Sequence, residues 1–196
     1  GKQGVNFTLD GATSSTALIT IDRSNLANNI WFTEEYVPGI TVTGELGKWI
    51  YNVGYFTSGK ASPEFGDFNA GSFGLVSIGY NFAEALGVDK ALLRGDFIYQ
   101  DEDPNNSKGN PSPFTRNEEI IGSVNFQMEN GRFGLATELA SSKGYGSQPD
   151  LFGLQFMPSY YLNPSKTLQA VFRYTYLNSD GENGIRFARY ENQITS

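Results

Sequence analysis

Apolar and polar residues alternate with a period of two along most of this chain. The pattern is clearest in KWIYNVGYF, ALLRGDFIYQ, EEIIGSVNFQME, GRFGLATELAS, LFGLQFMPSYYL and TLQAVFRYTYL. Successive side chains of a β-strand point to opposite faces, so each stretch predicts a strand with one apolar and one polar face. Weaker alternation over residues 2–9, 40–46 and 72–82 brings the expected total to about nine strands.

The predicted strands are long. Most cover about 8–12 residues, whereas typical strands of soluble proteins have about 5–6 and a transmembrane β-strand needs about 9–11. An apolar face opposite a polar face suits a barrel wall between lipid and a wet lumen. The pattern therefore favours an all-β fold, an antiparallel up-and-down transmembrane β-barrel. A soluble β-sandwich shows the same alternation and remains the alternative.

The connections between the predicted strands alternate in length. The short ones lie around Gly47-Lys48, EALGVDK, Asn130-Gly131 and NPSK, and the long ones are residues 10–35, 58–70, 101–117 and 143–150, with another beginning near Asn178. In a meander, this places the long loops at one end of the sheet and the tight turns at the other. Outer-membrane barrels have that asymmetry.

The composition excludes several chemistries. The chain has no His and no Cys, so it cannot build a Ser-His-Asp triad, a thiol nucleophile or a His-ligated zinc site by itself. The carboxylate pairs Glu34-Glu35 and Glu118-Glu119 are adjacent in sequence, so on a strand they face opposite ways. We therefore expect neither an enzyme nor a cofactor.

Two further segments resemble known ligand-binding motifs without completing them. GYFTSGKA, residues 54–61, has Ala61 where a phosphate-binding loop needs Ser or Thr. DEDPNNSKGNPS, residues 101–112, lacks the glycine and the final glutamate of a calcium loop. We interpret both as ordinary loops, although weak cation binding by the acidic loop stays open.

Net charge and hydropathy argue against two classes of protein, those that bind nucleic acid and those that cross a membrane with a helix. The net charge of −7 and pI near 4.6 argue against nucleic acid, which requires a basic footprint. No run of 18 apolar residues occurs, so a transmembrane helix is not expected.

Alternation also predicts which charged side chains face the lumen of a barrel. The candidates on strands are Lys2, Arg94, Asp96, Arg132 and Arg173. A lipid-facing Arg costs about 2–4 kcal/mol near the midplane, which favours the lumen for these residues. The polar faces carry both signs of charge rather than the ladder of basic residues that selects anions, so general diffusion is favoured over phosphate selectivity.

The segment SSTALITIDRSNLANN, residues 14–29, follows the first predicted strand on the side of the long loops. Its apolar residues require burial, whereas Asp22, Arg23 and Asn25 require water. A loop folded into a barrel satisfies both requirements. We therefore predict that residues 10–35 form an inward-folded constriction loop, with a simple external loop as the alternative.

The order of several short motifs resembles the phosphate-selective porin O and P family. The motifs are GKQGVNFTLDGATSS, ITIDRSNLANNIWF, GITVTGELGKWIYNVGYFTSG and YTYLNSDGENGIRFARYEN, spread over nearly the whole chain. The resemblance implies a porin of the Gram-negative outer membrane, a 16-stranded and usually trimeric barrel that passes small anionic solutes. It also implies that this chain is an internal portion of such a barrel.

The expected function is therefore a passive channel for small hydrophilic solutes or anions, and the resemblance implies phosphate among the anions. The expected surroundings are outer-membrane lipid and lipopolysaccharide, with other copies of the chain in a homotrimer. Two alternatives remain, a soluble or surface β-sandwich that binds carbohydrate and a structural barrel of the cell envelope.

The constriction hypothesis predicts the effect of reversing one charge. Arg23→Glu is expected to shift the ion preference of the channel towards cations, because a fixed negative charge attracts them. Reversal potentials in asymmetric salt measure this shift. Unchanged reversal potentials would show that Arg23 does not line the narrowing.

Overall fold

The computed structural model describes residues 2–3, 9, 19–20, 23–30, 37–57, 72–102, 118–181 and 185. Within these residues, the strands are β1 (Lys2–Gln3), β2 (Val37–Leu46), β3 (Trp49–Thr57), β4 (Ser72–Asn81), β5 (Lys90–Gln100), β6 (Glu118–Asn130), β7 (Phe133–Gly144), β8 (Leu151–Tyr161), β9 (Gln169–Val171) and β10 (Tyr174–Ser179). The same residues also form two short helices, α1 (Asn25–Ile30) and α2 (Ala83–Leu86).

The strands form one antiparallel sheet in chain order. Each strand from β1 to β8 pairs with the next, and β9 and β10 both pair with β8. This confirms the prediction of an all-β, up-and-down fold. The described strands do not close into a barrel, because β1 and β10 remain the two edges of the sheet.

The last predicted strand is interrupted. The pattern in TLQAVFRYTYL predicts one continuous strand, but the structure divides it into β9 and β10 at Phe172 and Arg173. Pro158 lies opposite this break on β8, and its carbonyl oxygen accepts a hydrogen bond from the Phe172 amide at 3.1 Å. Proline has no N–H to return the second bond of the pair, so the ladder is weakened at this point.

The tight turns lie at one end of the sheet, which we call the turn end. Gly47 and Gly131 adopt positive φ angles of 61° and 59° in the turns after β2 and β6, a conformation that glycine adopts without strain. At the opposite end, the loop end, β3 ends at Thr57 and β4 begins at Ser72, and β5 ends at Gln100 and β6 begins at Glu118. The alternation of lengths is weaker than predicted, because β7 continues to Gly144 and leaves only residues 145–150 before β8.

The segment EALGVDK forms a helical turn rather than a simple loop. Gly87 follows α2 as its C-cap residue, and its φ of 63° is the left-handed conformation common at helix ends. Lys48, in the turn after β2, lies 2.5 Å from Glu84 of this helix. Their hydrogen bond and charge interaction raise the pKa of Lys48 and lower the pKa of Glu84. The pair connects two neighbouring turns.

The two faces of the sheet have different surroundings. On one face, which we call the covered face, α1 packs against β7, β8 and β10. Leu26 and Ile30 of α1 join an apolar cluster near the loop end. The other members of the cluster are Phe56, Phe73, Leu75, Ile98, Ile121, Ala140 and Leu151. The opposite face, the open face, has no described segment across it.

Helix α1 begins with a side-chain cap. Ser24 is fully buried, and its Oγ accepts a hydrogen bond from the Ala27 amide at 3.2 Å. Such a cap satisfies one of the amides that a helix start leaves unpaired. This helix lies within residues 10–35, for which the sequence predicts a loop. The signal for the helix was present as Ser24 followed by apolar residues at positions 26, 27 and 30.

Gly153 allows α1 to approach the sheet. A Cβ atom at this position would lie 2.6 Å from Leu26 Cδ1 and 2.7 Å from the backbone oxygen of Tyr176. The second neighbour belongs to the backbone of β10 and cannot move without disturbing the strand pairing. Any larger residue at 153 therefore forces the helix and the sheet apart.

We predict that Gly153→Ala lowers the free energy of unfolding by about 1–3 kcal/mol, the usual cost of overpacking. Denaturant unfolding followed by tryptophan fluorescence measures it. Gly122→Ala is the matched control, because a Cβ atom there meets nothing within 4 Å, and its effect should stay within about 0.5 kcal/mol. Equal effects of the two variants would contradict the proposed contact.

Candidate functional site

The open face is apolar and exposed along its middle. Val124 is 53% exposed and Phe97 is 47% exposed. Other exposed apolar side chains of this face are Val42, Val53, Val76, Ile78, Leu139 and Phe152. Near the loop end, this face also carries a charged pair, Lys143 of β7 with Glu119 of β6 at 2.8 Å. A contiguous apolar surface of this kind marks contact with another apolar phase or partner.

Aromatic residues border this apolar surface. Near the turn end, the ring of Tyr80 lies 4.8 Å from that of Trp49, edge to face, and 4.6 Å from that of Phe82. Near the loop end, Tyr55 and Tyr99 are about half exposed on the same face. Aromatic girdles on both sides of an apolar band are typical of outer-membrane barrels.

The covered face is polar at its centre. The strand register places Arg94, Asn125, Glu138, Gln155 and Thr175 side by side in one row across β5, β6, β7, β8 and β10. Asn125, Glu138 and Gln155 are 1%, 2% and 0% exposed. We call these five residues the polar row. Burial of polar groups in the sheet centre, with apolar groups exposed, reverses the arrangement of a soluble protein.

Arg94 and Asp96 form the buried ion pair of this face. Arg94 donates from Nε and Nη2 to Asp96 Oδ2, at 3.1 and 2.8 Å. Asn125 donates to the same oxygen at 3.3 Å. The Asp96 side chain is fully buried, and that of Arg94 is 15% exposed. A buried carboxylate requires such partners, because an unpaired charge in a low-dielectric site is costly.

Glu138 holds a distant part of the chain on the covered face. Its Oε1 accepts hydrogen bonds from the Leu9 amide at 2.9 Å and from Ser123 Oγ at 2.6 Å. Leu9 lies 129 residues from Glu138 in sequence and is itself buried. Glu138 thus fixes the position of residue 9 against β7.

Arg173 makes a second connection of the same kind. Its Nη1 donates to Thr20 Oγ1 at 3.0 Å. Together with Leu9 and α1, this contact places the described residues between 9 and 30 on the covered face. Asn25 begins α1, and Arg23 lies half-buried two residues earlier. Arg173 and the described part of the predicted constriction loop therefore lie on the same face as Arg94 and Asp96.

Arg132 departs from the prediction that it faces the lumen. Its guanidinium lies 5.0 Å from the ring centroid of Tyr160, and Tyr160 pairs with Phe133 in the register of the open face. Arg132 belongs to the turn between β6 and β7, where the alternation of a strand no longer holds. Its favourable cation–π contact directs it towards the open-face rim instead.

The two remaining predicted residues cannot be placed in the site. Lys2 lies in β1 opposite Pro38, but its side chain falls outside the described residues, as does the whole of Asp22. In contrast, Ser77, Ser123 and Glu138 belong to the buried polar face and were not singled out as site residues. The alternation contains Glu138, but only the register shows that it adjoins Asn125 and Gln155.

Hydrogen bonds also connect the loop after β7 to neighbouring strands at the loop end. Tyr145 Oη donates to the backbone oxygen of Gln100 at 2.9 Å. Burial and the nearby Tyr99 hydroxyl raise the pKa of Tyr145 to about 12. Gln148 donates to Glu118 Oε1 at 3.0 Å. These bonds join the loop after β7 to β5 and β6.

Comparison with protein-family models, curated proteins and solved structures gave no match to this chain. Among the described residues, neither helix has the length and hydropathy required to cross a membrane.

We predict that Glu138→Ala releases the Leu9 amide. The variant removes the acceptor for two buried donors, which costs about 1–3 kcal/mol, so amide exchange at Leu9 should accelerate about 10-fold or more. Hydrogen exchange read by mass spectrometry measures this effect.

The control is Glu129→Ala on the same face, since Glu129 is exposed and pairs with Lys90 at 3.3 Å. It should leave exchange at Leu9 unchanged. Equal exchange in Glu138→Ala and in the unmodified protein would show that the 2.9 Å contact does not hold the segment.

Proposed function

We propose that this chain is part of an outer-membrane porin, a β-barrel that forms a passive, water-filled channel for small hydrophilic solutes. The observation that carries the proposal is the reversed distribution of polarity, with Val124 exposed and Glu138 buried. Lipid on the open face and a polar lumen on the covered face satisfy both residues at once.

The strand lengths support a membrane location. Strands β2 to β8 run from nine residues in β3 to 13 in β6, and a transmembrane β-strand needs about 9–11. The open edge of a sheet is not tolerated in lipid, because its backbone groups lack partners. We therefore propose that further strands complete the barrel, in line with the 16 strands that the family resemblance implies.

The segment on the covered face supports a narrowed channel. Leu9, Thr20 and α1 lie on the side of the sheet that would form the lumen, and they are held there by Glu138, Arg173 and the apolar cluster. A segment on the inner wall reduces the width available to solutes, and the charges beside it bias which ions pass.

The charges of the covered face support a channel without strong anion selectivity. Arg94 pairs with Asp96, and Lys90 lies 3.3 Å from Glu129. Paired charges cancel at a distance, so these residues form no uninterrupted basic ladder. General diffusion of small solutes fits this wall better than a preference for phosphate.

One arginine placed on each face tests the proposal. Val124→Arg should destabilise the protein in lipid vesicles by about 2–4 kcal/mol, because it places a charge near the membrane midplane. Thr43→Arg, on the exposed part of the covered face, should leave stability nearly unchanged and alter the single-channel current. Denaturant unfolding in vesicles and planar-bilayer recordings of the intact protein are the two measurements.

Several results would overturn the proposal. A protein that is monomeric and soluble without detergent would favour the β-sandwich. A protein that inserts into bilayers without stepwise currents would favour a structural barrel. A loss of stability in Thr43→Arg but not in Val124→Arg would mean that the two faces are assigned the wrong way round.

A further inference from the structure

A small cavity lies on the covered face beside the polar row. It has a volume of about 300 Å³ and is lined chiefly by Thr43, Glu45, Ile50, Asn52, Ser77 and Arg94. This volume is at the lower limit for sites that bind small molecules, which measure about 300–1,000 Å³. We call it the β2–β5 cavity.

The register brings three oxygen-bearing side chains of the lining together at this cavity. Thr43 pairs with Asn52 and Asn52 with Ser77, so the three residues are consecutive neighbours across β2 to β4. Directly opposed residues have Cβ atoms about 4.5–5.5 Å apart. Neighbouring side chains can therefore contact one small ligand together.

Some of these oxygens have no hydrogen-bond partner in the described part of the chain. Ser77 is 4% exposed, and its Oγ makes no hydrogen bond. Asn52 Oδ1 is also a buried atom without a hydrogen-bond partner among the described residues. A buried acceptor left without a donor costs about 1–3 kcal/mol. The site is therefore suited to a ligand that donates hydrogen bonds.

The charged residues around the cavity determine whether it favours a cationic or an anionic ligand. The positive charge of Arg94 is balanced by Asp96 at 2.8 Å. Glu45, which is exposed at the cavity wall, has no ion pair with the described residues. The cavity as a whole is therefore negative, and a cationic donor is favoured over an anion or a neutral solute.

We propose that the β2–β5 cavity binds the ammonium group of small protonated amines. Ser77 Oγ and Asn52 Oδ1 accept its N–H bonds, and the Glu45 carboxylate balances its charge. The proposal deepens the porin proposal and rests on it for the passage of the amine, but the binding itself requires no current. It also predicts a cation preference, opposite to the anions that the family resemblance implies.

Methylammonium chloride is the probe, and calorimetric titration of the intact, detergent-solubilised protein measures binding. Ser77→Ala should weaken binding about 10-fold, because one hydrogen bond to a charged group is lost. The control is Ser142→Ala, since Ser142 is also buried on the covered face without a partner for Oγ, but lies near the loop end of β7. It should not change binding.

A second pair of variants distinguishes the effect of Glu45 at the cavity from that of the overall negative charge of the protein. Glu45→Gln should weaken binding about 10-fold, whereas Glu129→Gln, which removes the same charge elsewhere on the covered face, should not. Equal weakening by both would show that only the general negative charge attracts the amine, and would overturn the proposal.

Two further cations test whether the cavity recognises the N–H groups of the amine or only its charge. Tetramethylammonium has no N–H donor and should bind at least 10-fold more weakly than methylammonium. Equal binding would overturn the role of the hydrogen bonds. Displacement of methylammonium by equimolar sodium would indicate a metal-cation site and overturn the proposal for amines.

The results also distinguish this proposal from that of the channel. Binding that depends on Ser77 and Glu45 in a protein without stepwise currents would support the cavity and reject the porin. Stepwise currents without such binding would support the porin and reject the cavity.

Discussion

The antiparallel hydrogen-bond ladder from β2 to β8 holds every strand in one register, and that register sorts the side chains into two chemically different faces. Val124 and Leu139 lie opposite each other on the open face, and their neighbours Asn125 and Glu138 lie opposite each other on the covered face. A shift of one residue would exchange the faces of a strand. The proposed separation of lipid from lumen depends on this register.

Burial of charged residues then makes specific pairing necessary. Asp96 is stable in the sheet centre because Arg94 and Asn125 donate to it, and Glu138 because Ser123 and Leu9 do so. The same bonds that satisfy these carboxylates also position the chain. In particular, the bond to Leu9 links the stability of the polar face to the segment proposed to narrow the channel.

Much of the fold could be predicted from local patterns. Alternation located the strands and assigned Arg94 and Asp96 to the polar face correctly, because a strand repeats every two residues regardless of its surroundings. It did not apply to Arg132, which lies in a turn, where the Tyr160 ring determines its direction. It also did not predict the break opposite Pro158, since that depends on which residue the neighbouring strand presents.

The sequence by itself determined that the chain forms long amphipathic strands in an up-and-down sheet, because alternation and turn residues act over a few positions. Only the tertiary structure decided which polar residues meet. Contacts such as Leu9 with Glu138 and Thr20 with Arg173 join residues more than a hundred positions apart, and many different pairings are compatible with the same local pattern. The β2–β5 cavity likewise exists only because the register brings Thr43, the distant Ser77 and Arg94 to one place.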